Sequence, residues 1–466
     1  MNESGYPRNI AYSVKSLQSF SKSTVRLTPD KAENVTAGET IRVKLPPNSL
    51  IDMRTFSMYF EGTATNSSGG GQVHFPRLSS SVIDQLSIYV NGTMVESINS
   101  YNTLYNCLFD LDCGGIDQLS KRSVLENIDP SVDYTVNVAT GATTRVLKTL
   151  DATASDSNKK MMINNWIGMI SSLSTPVIDT NDCSDIFIEF RLAPATILWA
   201  GGDNVTNVVS APNYSLSKIR FTISKIVFNN PDYYNMKASK LLGQGLTIGY
   251  QTYITNRGSV VPKATSLSYT VNINSTSLDQ VIGTFLDKDY NIVKPLQLGG
   301  AGVDATAQSF YAALVAPVND ANTVATTGDL FNNSVYFKRN ALGITGSSYE
   351  INNVMMNPAP LKLEEVYNET LIALGGNHAD MSSGIAPGCV SDAHFAKYYF
   401  AHILSLENIS NDGQFWKSGL DGRAASMSIN FKTEFTGTTD NCTPVIFCKC
   451  TRLLQINEAH QISVIV

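Results

Sequence analysis

The sequence predicts an all-β protein built as two tandem β-sandwiches, with a few short helices in the connections. Three observations predict it. Apolar and polar residues alternate along many short segments, the period of a strand with one buried face. These segments fall into two sets, one before residue 235 and one after residue 265, with a similar order of elements. The composition is that of β surfaces and polar loops: 43% of the 466 residues are hydrophobic and only 16% are charged. Ser, Thr, Asn and Gly fill the difference.

In the first half, Ile41, Val43 and Leu45 alternate up to the stop at Pro46–Pro47. Phe56, Met58 and Phe60 repeat the pattern ahead of GTATNSSGGGQ, which reads as a flexible loop. Leu86, Ile88 and Val90 run into Asn91–Gly92, the pair favoured where both turn positions need positive φ, so a hairpin is expected. Ser100–Leu111 places Tyr101, Leu104, Tyr105, Leu108 and Phe109 on one helical stripe. Strands are expected through Tyr134, Val136 and Val138, then Ile186–Leu192, then Ile219–Ile223. A helix after Pro231, DYYNMKASKLLGQG, separates the halves.

The pattern restarts with Leu267, Tyr269, Val271 and Ile273. SSYEINNVMM stands where the first half has its hairpin. Leu361–Leu374 carries Leu363, Val366, Tyr367, Leu371 and Leu374 on one stripe and stops at Gly375–Gly376. Met427, Ile429 and Phe431 alternate, and TPVIFCKCTRLLQI closes the set. Connections 112–133, 142–182 and 376–394 are too long for simple hairpins and read as insertions. The expected division is an arm over 1–24, a first sandwich over 25–235, a linker over 236–265 and a second sandwich over 266–466. Each sandwich, at roughly 200 residues, has a plausible size for one all-β domain.

Composition and motifs narrow the chemistry. A formal charge of −6 argues against nucleic-acid binding by this chain, because holding phosphates takes clustered Lys and Arg. SKRS at 120–123 is the nearest thing to a basic cluster, and segment 6–26 is mildly basic through Arg8, Lys15, Lys22 and Arg26. The N-terminus has no apolar core of a secretory signal, and no apolar run is long enough to span a bilayer. Seven cysteines without regular spacing fit reduced thiols.

His74, His378, His394, His402 and His460 form no HxH or HxxxH pair, so no metal site is expected from them. His394 and His402 flank FAKYYFA and read as ordinary strand or loop histidines. Cys442, Cys448 and Cys450 lie close together, with Cys442 placed across a turn, but no CxxC knuckle accompanies them, and core thiols are expected. Asp110/Asp112, Asp182/Asp185 and Glu364/Glu365 are not spaced to face each other across a cleft. GxSxG, P-loop and GxGxxG patterns are missing. The sequence therefore predicts no catalytic, cofactor-binding or metal-binding residue and no cofactor. Paired tyrosines in DYYN and KYYFA suit sugar stacking or a protein–protein interface.

Several stretches, taken in order, resemble a known family. They are VIDQLSIYVNGTMVESINSYNTLYNCLFDL and YSLSKIRFTISKIVFNNPDYYNMKASKLL in the first half. In the second they are SLDQVIGTF, YYFAHILSLENIS, SGLDGRAASMSINFKTEF and TPVIFCKCTRLLQINEAHQI. In this order they resemble the double jelly-roll major capsid proteins of icosahedral double-stranded DNA viruses, nearest those of Polintons, Polinton-like viruses and virophages. Asn457 and His460 depart from the acidic and basic residues that relatives tend to carry there, and loops 142–182 and 299–330 match nothing in the family. The resemblance implies two eight-stranded jelly rolls per chain. It implies a homotrimer with a pseudo-hexagonal outline that tiles an icosahedral shell around double-stranded DNA. The implied partners are neighbouring capsomers, penton proteins and minor or cement proteins, in the virion. Segment 6–26 would be an arm ordered by capsid neighbours. Rival readings are a sugar-binding sandwich or virion spike, and an enzyme using His394 or paired carboxylates.

Overall fold

The computed structural model describes residues 20–67, 72–76, 78–112, 132–136, 143–147, 155–183, 185–201, 211–228, 235, 239, 245–262, 265–287, 290–291, 293, 335–341, 343–374, 395–396, 399–407, 419–422, 426–436 and 441–465. Eight main strands make the first half: β1 (Phe20–Leu27), β2 (Thr40–Lys44), β3 (Leu50–Asn66), β4 (Ile83–Val90), β5 (Thr93–Asn99), β6 (Lys159–Ile163), β7 (Ile186–Leu192) and β8 (Pro212–Phe228). They pair in two antiparallel sheets, β1-β8-β3-β6 and β2-β7-β4-β5. Eight more make the second half: β9 (Leu246–Arg257), β10 (Ser266–Ile273), β11 (Leu278–Asp287), β12 (Ile344–Ile351), β13 (Val354–Met355), β14 (His402–Ser405), β15 (Met427–Phe435) and β16 (Asn441–Ile456).

These pair as β9-β16-β11-β14 and β10-β15-β12-β13. Both halves thus follow one plan: first strand beside last, second beside seventh, the remainder nested between. That is the jelly roll, and the chain carries it twice. Short strands Val35–Thr36 and Val177–Asp179 extend the first large sheet, as Val261–Pro262 and Ile462–Ile465 extend the second.

Each roll is plugged by aromatic rings from facing sheets. In roll 1, Phe56 and Phe221 of the large sheet meet Phe190 of the small one, and Phe190 stands 5.4 Å from both Phe221 and Trp166. In roll 2, Phe285 of the large sheet stacks on Phe431 of the small one at 5.4 Å. These rings are buried and bridge the roughly 10 Å between packed sheets.

The turns follow from their residues. Asn91 and Gly92 have φ of 49° and 78°, and Asn352 and Asn353 have 51° and 63°, so both hairpins turn through left-handed positions. Among the described residues, four helices occupy connections: α1 (Tyr101–Asp112), α2 (Met169–Ser172), α3 (Thr180–Cys183) and α4 (Leu363–Ala373). α4 begins where Glu365 accepts the Lys362 N–H at 2.8 Å, a capping-box bond.

Several expectations are corrected. GTATNSSGGGQ is not all loop, because β3 runs on to Asn66. Connection 142–182 holds β6, α2 and part of α3. Residues 246–257, inside the expected linker, form β9, and 20–24, inside the expected arm, belong to β1. β9 and β11 carry no clear period-two pattern because both their faces are covered. Val281 to Leu286 are buried without a break, and Thr247 is the one exposed residue of β9. The rest of the arm, most of the helix after Pro231, and 112–133 after Asp112 up to β-strand Val132–Val136 lie outside the described residues.

Candidate functional site

The most heavily built polar site among the described residues is the joint between the rolls. The small sheet of roll 1 ends in β5 and leads into α1. That corner meets β9 and β16 of roll 2. Tyr250 donates its hydroxyl to the Val95 carbonyl at 2.6 Å, and Thr255 donates to the Asn99 carbonyl at 2.7 Å. Arg257 donates to Ser100 Oγ at 3.0 Å. Deeper in, Arg339 donates to Asp110 at 2.9 Å, with both side chains at most 1% exposed. A buried pair of this kind stabilises little by itself, but losing one partner leaves a charge stranded in the interior.

The open edge of β9 is closed by the segment after α2. Ser174 N–H donates to Gly249 O at 2.8 Å, Gly249 N–H donates to Ser174 Oγ at 3.0 Å, and Gln251 N–H donates to Ser172 Oγ at 2.8 Å. An edge strand with unpaired backbone groups invites wrong pairing, and here roll 1 blocks it.

Glu96 sits at the centre of this joint. Met169 N–H donates to both of its carboxyl oxygens at 3.0 Å. Burial pushes its carboxyl up to about 8, against the smaller opposing pull of the Met169 N–H, the Thr252 hydroxyl and the charge of Arg452. Gly168 makes the approach possible: its φ is 81°, and a Cβ there would stand 2.5 Å from Glu96 Oε1.

The residues weighed in the sequence separate. Asp110 belongs to the joint. Asp185 pairs with Lys44 at 2.7 Å near the surface, while Asp182 is buried elsewhere. Glu364 and Glu365 are exposed on α4. His378, His394, Arg8, Lys15 and SKRS lie outside the described residues. His74 is buried 3.3 Å from Asp156, and His460 Nδ1 lies 3.2 Å from the Asp182 carbonyl. Cys442, Cys448 and Cys450 are all buried on one strand, β16, so Cys442 is not across a turn. Six residues of strand put about 20 Å between Cys442 and Cys448, too far for a shared ion. Among the described residues no three His, Cys, Asp or Glu side chains converge in a metal-binding group. No helix among them is long and apolar enough to cross a membrane.

One arrangement was missed in the sequence. His402 Nε2 lies 2.8 Å from Glu369, and its Nδ1 lies 2.8 Å from Ser347 Oγ. The carboxylate can only accept, so Nε2 donates to Glu369, and Nδ1 shares the second hydrogen bond with the Ser347 hydroxyl. Ser347 and His402 are wholly buried, so the serine cannot meet a substrate, and the line acts as a strut tying β12, β14 and α4 together. Its members come from three distant elements, and no sequence spacing could signal it. A groove of about 280 Å³ lies on the small sheet of roll 2, lined by Ser266, Ser268, Ser348, Met355, Lys432 and Glu434 among others. None of its lining residues is aromatic, so it lacks a platform for stacking a sugar.

No family model matches the sequence, and no curated protein does either. Solved structures do match the fold. PBCV-1 VP54, fitted into a reconstruction of the virophage Sputnik, superposes with a TM-score of 0.57 at 11% identity, over 96% of this chain and 97% of that one. The Faustovirus major capsid protein superposes with a TM-score of 0.56 at 10% identity, over 94% and 90%. The PBCV-1 virus capsid model gives 0.55 at 11% identity, over 96% and 97%. Together with the repeated strand order, these likenesses establish the fold of the chain as a double jelly roll.

Proposed function

We propose that this chain is a major capsid protein. In this reading it forms a homotrimeric, pseudo-hexagonal capsomer that tiles an icosahedral shell around double-stranded DNA, in the virion, beside penton and minor capsid proteins. The role is structural rather than catalytic. The observation that carries the reading is the tandem of two rolls with one strand order, matching PBCV-1 VP54 from end to end over 96% and 97% of the two chains. A doubled roll gives one chain two pseudo-equivalent blocks, and the buried polar joint fixes their relative orientation. Tiling needs that rigidity, since a hinge between blocks would let each capsomer differ from the next. The test is the solution mass of the purified chain by light scattering, with negative-stain imaging of the same peak. Particles of about 150 kDa, three times the 50.6 kDa chain, with a pseudo-hexagonal outline are expected. A chain that stays monomeric and forms no such particle overturns the reading.

A further inference from the structure

Residues 168–175 run from roll 1 across the edge of β9 as a strap that is fixed at both ends and lightly held between. At its start, Trp166 donates its ring N–H to the Phe56 carbonyl at 2.8 Å, and Ile167 N–H donates to the Tyr101 hydroxyl at 3.1 Å. At its end, Met53 N–H donates to the Pro176 carbonyl at 3.0 Å, and Val177 pairs with Asp52 of β3. Between these anchors, its hydrogen bonds to β9 are those of Ser172 and Ser174 with Gly249 and Gln251. Ser171, Ser174 and Thr175 are exposed, so water reaches the outer side of the strap.

Glu96 lies on the inner side, 1% exposed, and its two carboxyl oxygens take the Met169 N–H in the middle of the strap. The groups facing it come from every element packed around it. β16 offers Arg452, β9 offers Thr252, Tyr250 and Tyr253, α1 offers Tyr101, and β4 offers the apolar Ile88 across the ladder. The strap gives only backbone, since α2 is Met-Ile-Ser-Ser. Burial holds the Tyr101 and Tyr250 hydroxyls neutral, and Arg452 exerts the weakest of the three pulls that favour an ionised Glu96.

An ionised carboxylate at this place must find water, because one distant cation does not offset its desolvation. β4, β5, β9 and β16 are held by strand partners, and α1 is buried from Tyr101 to Leu111 apart from a half-buried Leu108. The strap has no strand partner and is wet on its outer side, so among these covers it yields first. Gly168, with its φ of 81°, stands at the end where it would swing.

We propose that Glu96 is a pH-sensitive latch: loss of its proton opens the strap over 168–175 and uncovers the edge of β9 while both rolls stay folded. The latch rests on the geometry of the joint and holds whether or not the chain builds capsomers. Closed, the carboxyl keeps its proton up to about pH 8; open and hydrated, it releases it near the ordinary 4.5. The open form therefore gains on the closed one as pH rises between these values, and the gain ends above about 8. From pH 6 to pH 9 the opening equilibrium rises by about 100-fold.

The test is amide hydrogen exchange of the full chain at pH 6 and pH 9, read by mass spectrometry, for wild type and E96Q. Each rate is divided by that of the unfolded chain at the same pH, which removes the base catalysis of exchange itself. The reporting amides are Met169, Ser174, Gly249 and Gln251, whose N–H groups close the strap. In wild type, their peptides are expected to lose about 100-fold of protection between the two pH values, while peptides of β10 and β15 keep theirs. In E96Q, the strap peptides are expected to stay protected at both. Strap protection that does not change with pH in wild type overturns the latch, as does an equal loss in E96Q. So does a loss shared by the strap, β10 and β15, since that is unfolding of the rolls and not opening of the joint. The wild-type comparison of the strap with β10 and β15 decides the matter even where a thermal melt shows E96Q unfolded.

Discussion

Glu96→Gln isolates the protonation of the joint. The side chain keeps its shape, its amide oxygen still accepts the Met169 N–H, and its amide group donates to Thr252. What changes is the ability to ionise. The wild-type carboxyl has a value of about 8 in the fold against an ordinary 4.5. Below about 4.5 it is protonated in both the folded and the unfolded chain, and contributes no pH dependence. Between the two values the unfolded chain releases its proton and the folded chain does not, so stability falls as pH rises, by about 1.4 kcal/mol per unit. Above about 8 both states are ionised and the loss is complete. Relative to the glutamine variant, wild type should therefore lose about 1 kcal/mol by pH 5 and about 4–5 kcal/mol by pH 8.5. The ionised form would lie buried near Arg452, Tyr250 and Tyr101, with one cation to oppose its desolvation. Denaturant unfolding of both chains at pH 5, 7 and 8.5 reads the difference directly, because every other titrating group is common to both. Stability curves that run parallel across this range would refute a neutral Glu96 at the joint.

Three further outcomes follow from the packing. Arg339→Met should destabilise by about 3–5 kcal/mol because Asp110 is left charged and buried, and adding Asp110→Asn should recover much of the loss; melting temperatures of the single and double variants check it. Gly168→Ala should cost about 2–3 kcal/mol, since its left-handed backbone and its contact with Glu96 both exclude a Cβ, and an unchanged melt would contradict this. Cys448 and Cys450 should resist a thiol reagent in the native chain and react on unfolding, because burial raises both thiols, Cys450 to about 11, and only the thiolate attacks. Rapid native labelling would show that β16 opens.

Whatever has a local physical cause was legible in the chain. Strands with one wet face print their period, so β2, β7, β10 and β15 could be read, and Asn91–Gly92 announced its hairpin because few other pairs tolerate two left-handed residues. The stripe of α4 was readable for the same reason, since Val366 and Thr370 are buried while Glu364, Glu365 and Asn368 are exposed. That of α1 was readable because its other face is polar, although the fold buries Asn102, Thr103, Asn106 and Asp110 as well. The remainder needed the folded molecule. β9 and β11 lost their period because the fold covers both their faces, and β9 owes much of that to the other roll. The partnership of Asp110 with Arg339, the neutral Glu96 beside Gly168, and the Ser347–His402–Glu369 strut join residues remote in the chain. Burial made by distant segments sets their protonation and pairing, and no local pattern records which segments those will be.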